Sequence, residues 1–247
     1  MKPTRLVLLH GFLGDRNDWA PVLPALESRL PCYLVELPGH GAQPAPIAQE
    51  DLAAWFAEWS PLVDRTTVLV GYSMGGRMAL HAVLRNGLRP RALILEGASA
   101  GISDEAEREA RRERDSRLAE RLRERGLPSF LREWYSQPLI ASLLRHPARL
   151  AEIMAGRTGD PHALAAALEW LSPGRMPGLG GELALLDFPV LALAGEEDPP
   201  YSAALKTLAD ANPRFQTRVV AGAGHNVHRE NPAGWLGAVE PFLETLA

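Results

Sequence analysis

The alternation of short apolar runs with helix-like stretches constrains this chain more than any other feature of its sequence. Leu6-Val7-Leu8-Leu9, Tyr33-Leu34-Val35-Glu36-Leu37, Thr66-Thr67-Val68-Leu69-Val70, Ala92-Leu93-Ile94-Leu95, Val190-Leu191-Ala192-Leu193 and the run from Gln216 to Val220 read as strands. Between them, 50–59, 74–86, 201–211 and 232–246 read as helices, the last opening with Asn231 as cap and Pro232 just inside. This order is the pattern of a mostly parallel sheet with crossover helices. With 247 residues, 46% of them hydrophobic, the chain suits one such domain with a substantial core.

One segment breaks the alternation. From 99 to about 187 there is no convincing strand. The stretch Asp104 to Arg125 is dense in acids and arginines and lacks a simple apolar stripe, so it reads as a solvated helix held by i,i+4 ion pairs. Trp134-Tyr135, an apolar cluster and a Gly/Pro-rich stretch from Pro173 to Gly181 follow. An insertion between a strand ending near Gly97 and another starting near Pro189 predicts a helical lid over the C-terminal edge of the sheet. No repeat or low-complexity linker marks a second domain, so 1–247 is expected to be one α/β domain carrying that lid.

Composition removes several classes of function. A formal net charge of −4 gives no field to recruit nucleic acid or an anionic membrane. Cys32 is the one cysteine, so no intramolecular disulfide framework exists. The apolar run ending at His10 is too short for a secretory leader, and no stretch approaches a membrane span. The expectation is a soluble cytoplasmic protein.

Gly71-Tyr72-Ser73-Met74-Gly75 follows the best strand and precedes a helical stretch. This is the G-x-S-x-G elbow, in which a sharp strand-to-helix turn exposes a serine hydroxyl at a helix N-terminus. The flanking glycines leave room for the strained backbone. A serine needs an imidazole partner. His225, in Gly222-Ala223-Gly224-His225 after the last strand, is the candidate, with His228 as a rival nearer the next helix. The acid is sought after the penultimate strand, in Gly195-Glu196-Glu197-Asp198-Pro199. Asp198 is preferred because it is short and Pro199 favours an extended backbone before it, with Glu196 and Glu197 as alternatives. An oxyanion hole needs two backbone N–H groups. Met74 would supply one, and the loop His10-Gly11-Phe12-Leu13-Gly14 the other, at Phe12. Arg77 lies one helical turn beyond Ser73 and can share its side of the helix.

Four stretches together resemble a known family: Leu9-His10-Gly11-Phe12-Leu13-Gly14-Asp15, Val70-Gly71-Tyr72-Ser73-Met74-Gly75-Gly76-Arg77, Trp134-Tyr135-Ser136-Gln137-Pro138, and Gly224-His225-Asn226-Val227-His228-Arg229-Glu230-Asn231-Pro232. The first two are shared with many α/β-hydrolases. All four together resemble the 2-succinyl-6-hydroxy-2,4-cyclohexadiene-1-carboxylate synthases of menaquinone biosynthesis, over nearly the whole chain. The resemblance implies an α/β-hydrolase fold and a lyase without metal or cofactor. Such an enzyme eliminates pyruvate from 2-succinyl-5-enolpyruvyl-6-hydroxy-3-cyclohexene-1-carboxylate. It implies that Asp198 orients His225, that His225 draws the proton from Ser73, and that Ser73 acts as a base on the ring. It also implies a small anionic substrate with three carboxylates, which guanidinium groups bind in a fork. Arg77, Arg112 and Arg157 fall where the family places such arginines. Arg111 and Arg114 could each replace Arg112 by a small shift of register. Trp134 could pack against the substrate, and Tyr72 could line the site beside the oxyanion hole.

Two other readings use the same residues. A carboxylesterase or C–C bond hydrolase would pass through an acyl-enzyme on Ser73. A ligand-sensing protein would keep the fold without turnover. Assays with short-chain aryl esters and with the cyclohexene intermediate separate the three.

Overall fold

The computed structural model describes residues 2–247, leaving Met1 outside. Six strands form one sheet: β1 Arg5–Leu9, β2 Cys32–Val35, β3 Thr67–Tyr72, β4 Ala92–Glu96, β5 Val190–Gly195 and β6 Phe215–Val220. They pair in the order β2-β1-β3-β4-β5-β6, every neighbour parallel. Helices connect them: α1 Leu23–Glu27, α2 Gln49–Trp59, α3 Met74–Leu84, α4 Glu105–Trp134, α5 Pro147–Ala155, α6 Pro161–Trp170, α7 Pro199–Ala211, α8 Val227–Glu230 and α9 Pro232–Thr245.

The apolar runs are continuous because both faces of each central strand are covered. Side chains alternate between faces with a period of two residues. Val7, Leu9, Leu69, Leu93, Leu95, Val190 and Ala192 face a core shared with α2, α3 and α7. Leu6, Leu8, Val68, Val70, Ile94, Leu191 and Leu193 face the opposite core, closed by Trp235, Val239 and Phe242 of α9. The second strand stops at Val35 rather than Leu37. Beyond it Glu36 turns to Arg16 and to the Ala42 N–H, and the Leu37 N–H donates to His10 Nε2.

From β1 the chain moves outward to β2, then returns across β1 to β3 and builds the rest of the sheet in the other direction. The C-terminal ends of β1 and β3 are therefore neighbours at the point where the order reverses, where open parallel sheets form a crevice. The register Leu9↔Gly71 sets the loops that leave these two strands side by side.

The residues between β4 and β5 are helical and build their own core, with Leu118, Leu122, Phe130, Ile140, Leu164 and Leu168 inside and Leu13 of the β1 loop entering it. Helix α4 is two straight pieces joined at Gly126, whose φ of 71° and ψ of 168° are not helical, with Pro128 just beyond. Its first piece is not held only by its own ion pairs. Arg117–Glu113 and Arg111–Asp115 are i,i+4 pairs on one helix, but Arg123 reaches Glu169 of α6 at 2.6 Å. Leu118, Ala119 and Leu122 form a short apolar stripe toward α6 that the surrounding charges conceal in the sequence. Among the described residues no helix is long and apolar enough to cross a membrane.

Candidate active site

Strand β3 delivers Ser73 into a backbone that only a tight turn requires. Its φ of 51° and ψ of −110° lie outside the ordinary regions for a residue with a Cβ. Such a conformation costs about 1–3 kcal/mol and persists only where its surroundings hold it. Here the Ser73 N–H donates to the Glu96 carbonyl at 2.8 Å and the Arg77 N–H donates to the Ser73 carbonyl at 3.1 Å. The first turn of α3 presses onto the end of β1, so closely that a Cβ on Gly75 would stand 2.3 Å from the His10 carbonyl oxygen. Ser73 thus caps α3 from outside, with the positive end of the helix dipole behind it.

The loop after β6 brings His225 to this serine, with Ser73 Oγ and His225 Nε2 2.9 Å apart. His225 Nδ1 lies 2.7 Å from Asp198 Oδ2. Asp198 is 1% exposed and ends its strand-to-helix turn with φ −116° and ψ 72°, the non-helical backbone expected before Pro199. The two alternative acids point elsewhere: Glu196 accepts from the Gly222 N–H and Glu197 pairs with Arg145. The rival imidazole, His228, is fully buried and engaged by Glu96, 2.8 Å from its Nδ1.

The loop after β1 is fixed by two buried histidines. The Leu37 N–H donates to His10 Nε2, so His10 Nδ1 carries the hydrogen that reaches the Gly11 carbonyl at 2.8 Å. Likewise the Leu13 N–H donates to His40 Nε2, and His40 Nδ1 donates to the Pro38 carbonyl. Burial lowers the pKa of both, His40 to about 3, with His10 adding to its fall. Both are neutral struts. Phe12, between the two fixed residues, stands edge-on to Trp134 with ring centroids 5.0 Å apart.

Ser73, His225, Phe12, Tyr72, Met74, Arg77 and Trp134 line one chamber of about 130 Å³. It opens past Arg111, Trp134 and Tyr201 into an outer space of about 660 Å³ that also meets Arg114 and Gln137. Arg77 is buried, donates to the Leu171 carbonyl at 2.7 Å, and has no carboxylate in ion-pair distance among the described residues. Burial and the nearby Arg111 push its guanidinium down to about 10.

Two of the expected arginines stand outside the chamber. Arg112 lies outside the chamber against Gly174, whose carbonyl it donates to at 3.3 Å, and pairs with Glu109. Arg111, one residue earlier and so about 100° around the helix, is the arginine of that stretch that lines the chamber. The Arg157 side chain is 7% exposed and is spent inside the protein. It pairs with Asp18 at 2.5 Å and donates to the Tyr135 hydroxyl at 2.9 Å. Burial alone would raise Asp18, but Arg157, His228 and His10 outweigh it and hold the carboxyl below its usual value. Tyr201, which no sequence motif singled out, lies tilted at 49° against His225 with ring centroids 4.7 Å apart. Its position in the first turn after Asp198-Pro199-Pro200 was the signal for it. Among the described residues no group of three or more His, Cys, Asp or Glu is placed to hold a metal ion.

A serine on a strained strand-to-helix turn, an imidazole and a carboxylate in hydrogen-bonded sequence, and a parallel sheet carrying all three define an α/β-hydrolase-fold protein. The sequence profile described as the alpha/beta hydrolase family matches residues 6–238. A curated relative from Klebsiella pneumoniae subsp. pneumoniae, named 2-succinyl-6-hydroxy-2,4-cyclohexadiene-1-carboxylate synthase, is 37% identical over 243 residues, covering 96% of this chain and 93% of its own length. The solved structure of MenH from S. aureus superposes with a TM-score of 0.93 at 29% identity, covering 100% of this chain and 95% of that one. A thermophilic esterase from Thermogutta terrifontis, in its malate-bound form, follows at a TM-score of 0.83 and 26% identity over 99% of this chain and 91% of that one. The chain belongs to the alpha/beta hydrolase family and, within it, to the 2-succinyl-6-hydroxy-2,4-cyclohexadiene-1-carboxylate synthases.

Proposed function

We propose that the protein is a cytoplasmic lyase of menaquinone biosynthesis that converts 2-succinyl-5-enolpyruvyl-6-hydroxy-3-cyclohexene-1-carboxylate to 2-succinyl-6-hydroxy-2,4-cyclohexadiene-1-carboxylate and pyruvate. The observation that carries the reading is Arg77: a buried cation with no acid partner among the described residues, in the chamber that holds Ser73. Such a group is costly to bury unpaired and is satisfied by a carboxylate of the ligand. A hydrolase of neutral esters has no use for it.

Asp198 holds His225 in the tautomer with hydrogen on Nδ1, leaving Nε2 to accept the Ser73 proton. Ser73 Oγ then takes the hydrogen from the ring carbon that bears the succinyl group. That electron pair enters the ring, the ring double bond shifts by one position, and the carbon–oxygen bond to the enolpyruvyl group breaks. The leaving group departs as pyruvate enolate and takes a proton to become pyruvate. The Phe12 and Met74 N–H groups, with the α3 dipole, support negative charge as it forms at the serine side of the chamber. Arg77 holds a carboxylate, Arg111 offers the guanidinium N–H groups that its Nε contact with Asp115 leaves over, and Tyr72 and Trp134 form the walls.

The test is pyruvate release from the cyclohexene intermediate. Wild-type protein is expected to turn it over, and Ser73→Ala to lose about 10²–10⁴-fold in kcat, the range for a positioned base. A Ser73→Ala enzyme with wild-type kcat would overturn the assignment. Mass spectrometry of rapidly quenched turnover is expected to show no adduct on Ser73, whereas a populated adduct would place the chain with the acyl-enzyme hydrolases.

A further inference from the structure

A second cavity lies behind the catalytic chamber, on the far side of α3, with a volume of about 530 Å³. Leu52 and Phe56 of α2, Leu88, Trp170 and Met176 give it apolar walls. Among the described residues His81, Arg85 and Arg175 are its charged or titratable members, and no acid lines it. His81 is 7% exposed, faces this space, and has no side-chain hydrogen-bond partner among the described residues. Its ring nitrogens are open to the cavity, so the imidazole offers a hydrogen bond to an occupant of that space. Burial first, then Arg77 and Arg85, lowers His81 to about 4, so at neutral pH it meets that ligand uncharged. The Arg175 guanidinium sits 4.4 Å from the centroid of the Trp170 ring and has no carboxylate in ion-pair distance among the described residues. Arg85 pairs with Glu182 at the rim.

We propose that this cavity binds a small monocarboxylate with an aromatic or branched apolar body. The body fills the space between Phe56 and Trp170, Arg175 takes the carboxylate with Arg85 beside it, and His81 hydrogen-bonds a polar atom at the floor. The site is separate from the catalytic chamber and does not depend on the lyase reading. It shares a wall with that chamber: Arg77, one turn before His81 on α3, reaches Leu171 O and, at 3.6 Å, the Met176 sulfur, which also lines this cavity. A ligand here touches Met176 of the segment that holds Arg77.

The experiment is calorimetric titration of the full chain with 1-naphthoate and, as the neutral control, 1-naphthalenemethanol. One saturable naphthoate site is expected in wild type and in Ser73→Ala. Ala53→Trp, which plugs the cavity from the exposed face of α2, and Arg175→Gln are each expected to weaken naphthoate at least about 10-fold, a change the loss of one charged anchor accounts for. His81→Phe is expected to weaken it less. Melting temperatures near wild type would show that these variants are folded. Absence of saturable binding, undiminished binding in Ala53→Trp, or equal affinity for the neutral alcohol would each overturn the proposal.

Discussion

Side chains of one chemical type take opposite roles here according to what neutralises them. Among the described residues Arg77 is buried without an acid partner, whereas the Arg157 side chain packs against Asp18 and Arg112 lies against Glu109. Arg77→Ala is therefore expected to lower kcat/KM for the tricarboxylate by roughly 10–150-fold, from about 1.5–3 kcal/mol for a charged hydrogen bond, with little loss of stability. Arg77→Lys should restore part of it, because an ammonium cannot form the two-pronged pair. Arg112→Ala is expected to change steady-state kinetics less than about twofold, as for an exposed ion pair. Arg157→Ala should behave in the reverse way to Arg77→Ala. It leaves buried Asp18 with only the more distant Arg229, at 3.7 Å, and urea unfolding is expected to show up to about 3 kcal/mol lost. A purely kinetic defect in Arg157→Ala would return that residue to the substrate.

The strand ends act as anchoring points for the loops that carry chemistry. Glu96, last residue of β4, accepts the Ser73 N–H at its carbonyl and three donors at its carboxylate: the His228 N–H at 3.1 Å, His228 Nδ1 at 2.8 Å and Trp235 Nε1 at 2.8 Å. One residue thus ties the serine turn to the loop that bears His225 three positions before His228. Glu96→Gln is expected to cost about 3 kcal/mol and to lower kcat more than it raises KM, since it disturbs the His225 approach rather than the carboxylate sites. An unchanged kcat well below the melting temperature would show that the loop holds itself. The β1 loop has a pH-sensitive anchor. His40 titrates near 3 when folded and near 6.5 when unfolded, so between these values the unfolded chain binds more protons. Its contribution is complete above pH 6.5 and falls as pH drops toward 3, by up to roughly 1.4 kcal/mol per pH unit. His40→Gln, which keeps an acceptor for the Leu13 N–H, is expected to flatten the acid side of stability measured by urea unfolding at pH 7, 6 and 5.

Across the whole molecule, stability and access are divided among three cores, one on each face of the sheet and one in the helical segment. The sheet is covered on both faces, and β1, β3, β4 and β5 are buried almost throughout. The first piece of α4 is covered by charge on most of its surface and meets the rest chiefly through Leu118, Ala119 and Leu122. Native-state hydrogen exchange is expected to find β3 and β4 opening only with global unfolding, and 105–125 opening locally at far lower free energy. Equal protection of the two would mean that the segment over the chamber does not move independently of the sheet.

The sheet and the serine turn were legible in the sequence because their signals are local. An apolar run with a period of two, a glycine-flanked serine between strand and helix, and a proline after an acid each constrain backbone within a few residues. The choice of Asp198 over Glu196 and Glu197 was legible for the same reason. The arginines were not. In a helix as charged as 105–125, one residue is about 100° of rotation, so Arg111 and Arg112 differ only in what packs beside them. That Arg157 meets Asp18, that Glu96 meets His228, and that Tyr201 covers His225 are contacts between distant segments. No local pattern specifies them, and only the packing of the helical segment and the C-terminal loops onto the sheet brought them about.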